Sequence, residues 1–219
     1  MFGCNGTVRA RMRRGAVSLV ASWLVCAGPS AVVAGELEKV AVTSEAGVYH
    51  ISLTMHLDAP MQQVWDVLTD FRHIYRLNPS IIESRLLPTP EGRAARVFTR
   101  MQGCVGFYCR EFSRVEDVWE TPPGEIATRI VPEMSDFDAG ASHWRVEDIG
   151  EGTELSYEAS LDPGFFVPPV VGGYFVKHKF QEETLLSFEK IECIARVKLA
   201  IKRASSVDKY VQMPSEDGC

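Results

Sequence analysis

Gly172-Gly173-Tyr174-Phe175-Val176-Lys177-His178-Lys179-Phe180, continuing through Leu185, Leu186, Phe188 and Ile191 to about Ala200, is the stretch whose reading decides the fold. Val176, Phe180, Thr184, Phe188, Ile191 and Ala195 recur at three- and four-residue steps, which puts them on one face of a helix. Lys177, Lys179, Glu182, Glu183, Glu189, Lys190 and Glu192 fall mostly on the other side, and no proline interrupts the run. At about 1.5 Å per residue the helix is roughly 40 Å long. Each large apolar side chain of the stripe contributes about 1.5–3 kcal/mol when buried, so the stripe needs a broad partner. Nearly everything upstream reads as strand, and the natural partner is a curved sheet.

Val48 to Asp58 alternates without a slip, with Tyr49, Ile51, Leu53, Met55 and Leu57 on one face and His50, Ser52, Thr54 and His56 on the other. Asp58-Ala59-Pro60 then opens a helix, with Asp58 as its cap and Pro60 in the first turn. Val64, Trp65, Val67, Leu68 and Phe71 supply its buried side. A second short helical piece, Phe71 to Leu77, stops at Asn78-Pro79, because the residue before proline avoids helix. Strand-like runs follow at Ile81–Leu87, Ala94–Gln102, Tyr108–Glu120, Ile126–Pro132, Ser142–Ile149 and Thr153–Leu161, the last two joined as a hairpin by Gly150-Glu151-Gly152. Short connections between successive strands imply antiparallel pairing.

The first 34 residues read as a secretory signal peptide: Arg9, Arg11, Arg13 and Arg14 precede an apolar segment, Ala16 to Ala27, and Val32-Val33-Ala34 ends it with small side chains. The apolar segment is too short to span a bilayer, and Met12 is an alternative start. The chain is therefore expected to be exported and periplasmic. Residues 35–200 form one domain and 201–219 a polar tail. Four of the 23 basic residues and none of the 29 acidic ones precede Gly35, which leaves the remainder at −10. That charge argues against nucleic acid or an anionic membrane as a broad partner.

Of six cysteines, Cys104, Cys109, Cys193 and Cys219 follow the leader. An oxidising compartment permits disulfides. Cys104 and Cys109 flank Val105-Gly106-Phe107-Tyr108, a gap short enough to fold back and join them. Cys193 and Cys219 remain by elimination, and the terminal position of Cys219 leaves their pairing open.

On these residues the chain resembles the helix-grip superfamily of START-like, pollen-allergen-like and polyketide cyclase/dehydrase proteins. The stretches that carry the resemblance are Asp58-Ala59-Pro60-Met61-Gln62-Gln63-Val64-Trp65-Asp66-Val67-Leu68-Thr69-Asp70-Phe71, the strand Gly152-Thr153-Glu154-Leu155-Ser156-Tyr157, and the long helix. It is most similar to the coenzyme Q-binding, START-like branch and its exported bacterial members. The resemblance implies an α+β helix-grip fold, with a curved antiparallel sheet of about seven strands around the long helix. It also implies an apolar ligand held between sheet and helix, with the segment containing His73 and Tyr75 near the cavity mouth.

Catalytic signatures are sparse. His50 and His56, six residues apart at about 3.3 Å each, lie some 20 Å from each other on the polar strand face and cannot share a metal. His178 sits between lysines and reads as exposed, while His73 and His143 are candidates to meet a ligand. There is no HExxH, no Cys/His cluster, no Gly-x-Ser-x-Gly elbow and no phosphate-binding loop, so no metal, cofactor or catalytic nucleophile is expected. Arg100, Glu111 and Arg129 are the residues that a sheet-lined cavity could bury for general acid–base work.

The uncharged run Gly164 to Val176 holds Phe165, Phe166, two prolines, Gly172, Gly173 and Tyr174. It reads either as core or as a lid over an apolar cavity, hinged at the glycines, with Phe165, Phe166 and Tyr174 positioned for transient membrane contact. The expected ligand-facing set is Tyr49, Leu53, Met55, Phe98, Trp144, Tyr157, Val176, Phe180 and Phe188. The function expected is non-catalytic binding or transport of a hydrophobic small molecule such as a lipid, isoprenoid or quinone. The alternative is a cyclase or dehydratase acting on an apolar carbonyl compound, which two ionisable side chains within reach inside the cavity would favour. A filled interior would instead favour an interaction module.

Overall fold

Alternation along Val48–Leu57 makes β2, and its buried residues are Ile51, Leu53, Met55 and Leu57. The computed structural model describes residues 37–105, 108–165, 174–207 and 218–219, with the backbone alone for 37, 105, 108, 174–177, 180 and 205–207. Residues 1–36, which include the expected signal peptide, 106–107, 166–173 and 208–217 lie outside the described residues. In chain order the elements are β1 (Leu37–Glu45), β2, α1 (Met61–Leu68), β3 (Ile81–Leu87), β4 (Ala95–Val105), β5 (Tyr108–Thr121), β6 (Glu125–Ile130), β7 (Phe137–Asp148), β8 (Thr153–Pro163) and α2 (Tyr174–Val207).

All eight strands join one antiparallel sheet in the order β1-β2-β8-β7-β6-β5-β4-β3. The register defines one face, here called inner, that carries Leu53, Met55, Val97, Val118, Ile126, Val146 and Leu155. These residues form one buried cluster with Phe188, Ile191, Ile194 and Ala195 of α2 and with Val64, Trp65, Val67 and Leu68 of α1. The helix-grip arrangement is therefore present. A second cluster, Val42, Ile51, Ile130, Phe137, Ala159 and Leu161, occupies the other end of the same face.

Several elements depart from the sequence expectation. The sheet has an eighth strand, β1, whose edge position exposes most of its residues and blurs the alternation that would have marked it. Its hairpin to β2 turns through Ala46 and Gly47 at φ 50° and 90°, the left-handed conformations that two-residue hairpin turns require. Asp58 does not cap α1. The residue before the helix is Pro60, whose carbonyl accepts from the Gln63 and Val64 amides at 3.0 and 3.2 Å, and the Asp58 carboxylate pairs with Arg196 of α2 at 3.4 Å. The second short helix shrinks to a 3-10 turn, Ile74–Arg76.

The long helix runs past Ala200 to Val207, because Lys202, Arg203 and Ala204 are helix-compatible and no Gly or Pro stops them. Glu192, assigned to the solvent side, is 5 % exposed, with Arg196 of the next turn 3.4 Å away. Nor is the chain end free at Cys219. It forms a disulfide with Cys193, its carbonyl accepts from Lys190 Nζ at 3.1 Å, and it packs against the core. The Cys104–Cys109 disulfide closes the β4–β5 hairpin as the spacing predicts.

On the outer face, Asp117 accepts from Arg96 Nε and Nη2 at 2.6 and 2.9 Å, with Arg93 at 3.6 Å. The hydrogen bond from Arg96 is the main reason its carboxyl lies below the ordinary 3.8, and burial opposes the shift. A depressed folded-state pKa stabilises the fold above the unfolded value, and that stability is lost as pH falls through the folded one. Asp117→Asn is therefore expected to lose roughly 2 kcal/mol at pH 7, with the gap from the parent narrowing below the ordinary aspartate value. Urea titrations at pH 7 and in the acid range check this, and a gap independent of pH would contradict it. Phe188, at 0 % exposure, is expected to cost about 3–5 kcal/mol on replacement by Ala, read by the same titration.

Candidate functional site

Between the two apolar clusters the inner face turns polar. Side chains that share a strand face repeat every second residue, so β5 presents Phe112, Arg114, Glu116, Val118 and Glu120 inward, with Phe112 reaching one cluster and Val118 the other. Arg114 Nε lies 3.0 Å from Glu116 Oε2, and the two side chains are 17 % and 12 % exposed. The Thr128 hydroxyl of β6 donates to Glu116 Oε1 at 2.8 Å and lies 2.8 Å from the Ser142 hydroxyl of β7. Ser142 in turn hydrogen-bonds Tyr157 of β8. The result is a continuous polar belt across four strands.

Two features set the electrostatics of the belt. Burial of the Tyr157 phenol pushes its pKa up to about 12, with Glu116 adding to the rise and Arg114 and Ser142 opposing it. At neutral pH it is a protonated hydrogen-bond donor. Arg114 Nε is inaccessible to solvent and, despite its short distance to Glu116, its N–H is not aimed at an acceptor. At one end of the same strand face, burial also raises the Glu120 carboxyl.

The expected ligand-facing residues divide. Leu53, Trp144, Tyr157 and Phe188 come together: Leu53 and Trp144 are the cross-strand neighbours of Tyr157 on either side, and the Trp144 ring lies 4.2 Å from that of Tyr157 and 6.1 Å from that of Phe188. Met55 is buried at 3 % beside them in the apolar cluster. Tyr49 shares the face but sits at the far end of β2, opposite Leu161, where burial raises its phenol. Phe98 lies on the outer face, 4.3 Å beneath the Arg85 guanidinium. The side chains of Val176 and Phe180 lie outside the described residues.

At the proposed mouth, His73 Nδ1 is 2.8 Å from Asp70 Oδ1 and its ring meets Tyr75 edge-on at 6.0 Å, while Tyr75 stays 43 % exposed. Phe165 packs into the second cluster, its ring 5.6 Å from Phe112 and 5.7 Å from Phe137, with Arg110 stacked on it at 4.6 Å. Phe166 and the Tyr174 side chain lie outside the described residues.

The acid–base candidates also fall elsewhere. Arg100, Glu111 and Arg129 are exposed on the outer face, where Arg100 pairs with Glu83 at 3.1 Å. His143 is on that face too, opposite Glu158, away from the belt. The outer strands β1, β2, β8 and β7 form a broad groove of about 430 Å³, lined by residues that include Ala41, Thr43, His50, Ser52, His143 and Glu158. Beyond it, His56 lies 3.2 Å from Glu154 and 3.7 Å from Glu38, and the three offer ligand atoms within 4.8 Å of one another at the surface. No helix among the described residues is long and apolar enough to cross a membrane.

Arg114, Glu116, Thr128 and Ser142 escaped the sequence reading because β5 carries apolar residues in both phases, Phe112 and Val118 in one, Val115 and Trp119 in the other. A usable signal was present in β4. Phe98 shares its phase with Arg96 and Arg100, whereas Ala95, Val97, Thr99 and Met101 form the cleaner apolar set. Pairing of Thr99 with Arg114 then carries that inward phase onto β5.

The fold and this site can now be set beside known proteins. The Zhui aromatase/cyclase of a Streptomyces species superposes with a TM-score of 0.54 at 16 % identity, covering 69 % of this chain and 96 % of that one. Human STARD10 gives 0.54 at 16 % identity over 82 % of this chain and 80 % of that one. A STAR-related lipid transfer protein from Xanthomonas axonopodis gives 0.50 at 14 % identity over 70 % and 99 %. No curated protein matches the chain in sequence. At these identities the structural likeness establishes the fold. The family model described as polyketide cyclase/dehydrase and lipid transport matches residues 49–186, more than half of the 219 residues, and the chain belongs to that family.

Proposed function

We propose that this protein binds and carries an apolar small molecule between the inner face of its sheet and α2. The observation that supports this most is the division of the inner face. Two apolar clusters flank a belt whose members, Arg114, Glu116, Thr128, Ser142 and Tyr157, all keep some accessible surface. A site with mostly apolar walls and a few convergent polar groups suits a greasy molecule with one polar end. The half-buried rings of Trp144 and Tyr157 supply contact area for the greasy part, with the fully buried Phe188 ring behind Trp144. Family membership is compatible with this reading, since the family description includes lipid transport.

A second reading, catalysis on an apolar carbonyl compound, is favoured by one specific feature. Arg114 and Glu116 are two ionisable side chains in mutual reach on the inner face, linked by hydroxyls to a protonated tyrosine. A guanidinium and a phenol aimed at a carbonyl oxygen would stabilise negative charge developing there. Carriage is preferred because the one carboxylate of the belt is already engaged by Arg114 and Thr128, which leaves no free base among the described residues of the belt.

The compartment belongs to the same proposal. Arginines ahead of a short apolar segment, together with two disulfides, suit an exported protein that meets oxidising conditions.

Native mass spectrometry of the purified protein, followed by solvent extraction and titration with an apolar fluorescent probe, tests the reading. The expected result is a co-purifying organic molecule that displaces the probe and is recovered unchanged. Its recovery as a dehydrated or cyclised product would establish the second reading. Absence of both a bound molecule and probe binding would overturn carriage.

A further inference from the structure

The outer face of the sheet carries a cluster of a different kind. His56 lies on β2, the middle of three adjacent strands, with Glu154 its direct partner on β8 and Glu38 beside it on the edge strand β1. Its Nε2 is 3.2 Å from Glu154 Oε2 and 3.7 Å from Glu38 Oε2. The three ligand atoms lie within 4.8 Å of one another.

Glu38 reaches this position through a break in register. Val40 faces inward opposite Leu53, so unbroken alternation along β1 would turn Glu38 inward as well. The register shifts between Leu37 and Lys39, and this bulge turns Glu38 outward, beside His56.

An ion pair alone does not account for the trio. Nε2 has a single proton to donate, and Glu154 already lies at hydrogen-bond distance. A second carboxylate at the same nitrogen adds repulsion between the two glutamates. Glu147, directly opposite Glu154 on β7, places a third carboxylate in the row, paired with Arg145 at 3.7 Å. Among the described residues no lysine or arginine, Lys39 included, pairs with Glu38 or Glu154.

The donor set says which cation fits. Zinc holds imidazole nitrogen and carboxylate oxygen at about 2.0–2.2 Å, which sets neighbouring ligands about 3.3–3.6 Å apart in a tetrahedral shell. The two distances at Nε2 bracket that spacing. An imidazole ligand disfavours calcium and magnesium, which take oxygen. Zinc has no angular preference from its d electrons, which suits ligands whose directions are set by sheet register. The side chains of Glu38, His56 and Glu154 are 58 %, 40 % and 32 % exposed, so an ion can enter from solvent and keep water in its remaining position.

We propose that Glu38, His56 and Glu154 form a zinc site that fastens the start of the edge strand β1 to β2 and β8. The site is separate from the inner face and does not depend on the binding role proposed above.

The test is calorimetric titration of the chelator-treated, full-length protein with zinc chloride at pH 7. Glu38→Gln and His56→Ala are each expected to weaken zinc binding at least about tenfold, since even the loss of an outer partner of a metal ligand costs that much. His50→Asn, on the same strand face about 20 Å away, is expected to leave it unchanged. Urea titration checks that each variant folds. Nitrogen-15 spectra of the histidines give a readout that stability does not move: zinc should shift His56 Nε2 and hold the ring proton on Nδ1. No zinc binding, equal affinity in the parent and Glu38→Gln, or an unmoved His56 Nε2 would overturn the proposal and leave the trio as an ion pair. Calcium or magnesium binding as tight as zinc would overturn it as well.

Discussion

The packing of one helix face on one sheet face governs this molecule. Phe188, Ile191, Ile194 and Ala195 of α2 meet Leu53, Met55, Val118, Val146 and Leu155 of the sheet with almost no exposure. Such burial is the largest favourable contribution available to a domain of this size. It explains why an unclosed sheet with edges at β1 and β3 holds its shape: the helix fills the inside of the curve. Everything else positions or supports that contact. α1 braces the C-terminal half of α2 through Val64, Trp65, Val67 and Leu68, and the Cys193–Cys219 bridge ties the chain end to the same helix.

The contact does not extend uniformly over the sheet. Where the apolar pattern lapses, at Arg114, Glu116, Thr128 and Ser142, the side chains satisfy one another laterally across β5, β6, β7 and β8. A polar row in a sheet interior is expensive unless its members are hydrogen-bonded. Here they are, with Arg114 Nε as the exception. That exception is what supports the proposed binding role, since a purely structural network gains nothing from an unsatisfied charged donor. The description of the family names both polyketide cyclase/dehydrase activity and lipid transport, so the choice between them must come from such local chemistry.

Much of the fold was legible because its two main periodicities are clean. β2 alternates over its whole length, and the α2 stripe keeps its step through Phe188, Ile191 and Ala195. The aromatic wall followed from this, since the inward phase of β2 places Leu53 beside Tyr157 and then Trp144. The polar belt was not legible. An alternating strand with apolar residues in both phases, such as β5, buries Val115 and Val118 on opposite faces, so hydrophobicity alone assigns neither face inward. Arg100, Glu111 and Arg129 were chosen by residue type and fell on the outer surface. Arg114 and Glu116 required the pairing partner of β5 to be known. The β1 strand was hidden by its edge position, and the return of Cys219 to α2 by its distance of 26 residues from Cys193 along the chain.

The central claim is that guests lodge between sheet and helix and leave the broad outer groove vacant. The most direct measurement is an isotope-filtered nuclear Overhauser experiment on ¹³C-labelled protein carrying an unlabelled apolar guest. This account predicts cross-peaks from the guest to the ring protons of Trp144 and Tyr157. Cross-peaks confined to the methyl groups of Ala41 and Ala141 in the outer groove would contradict it.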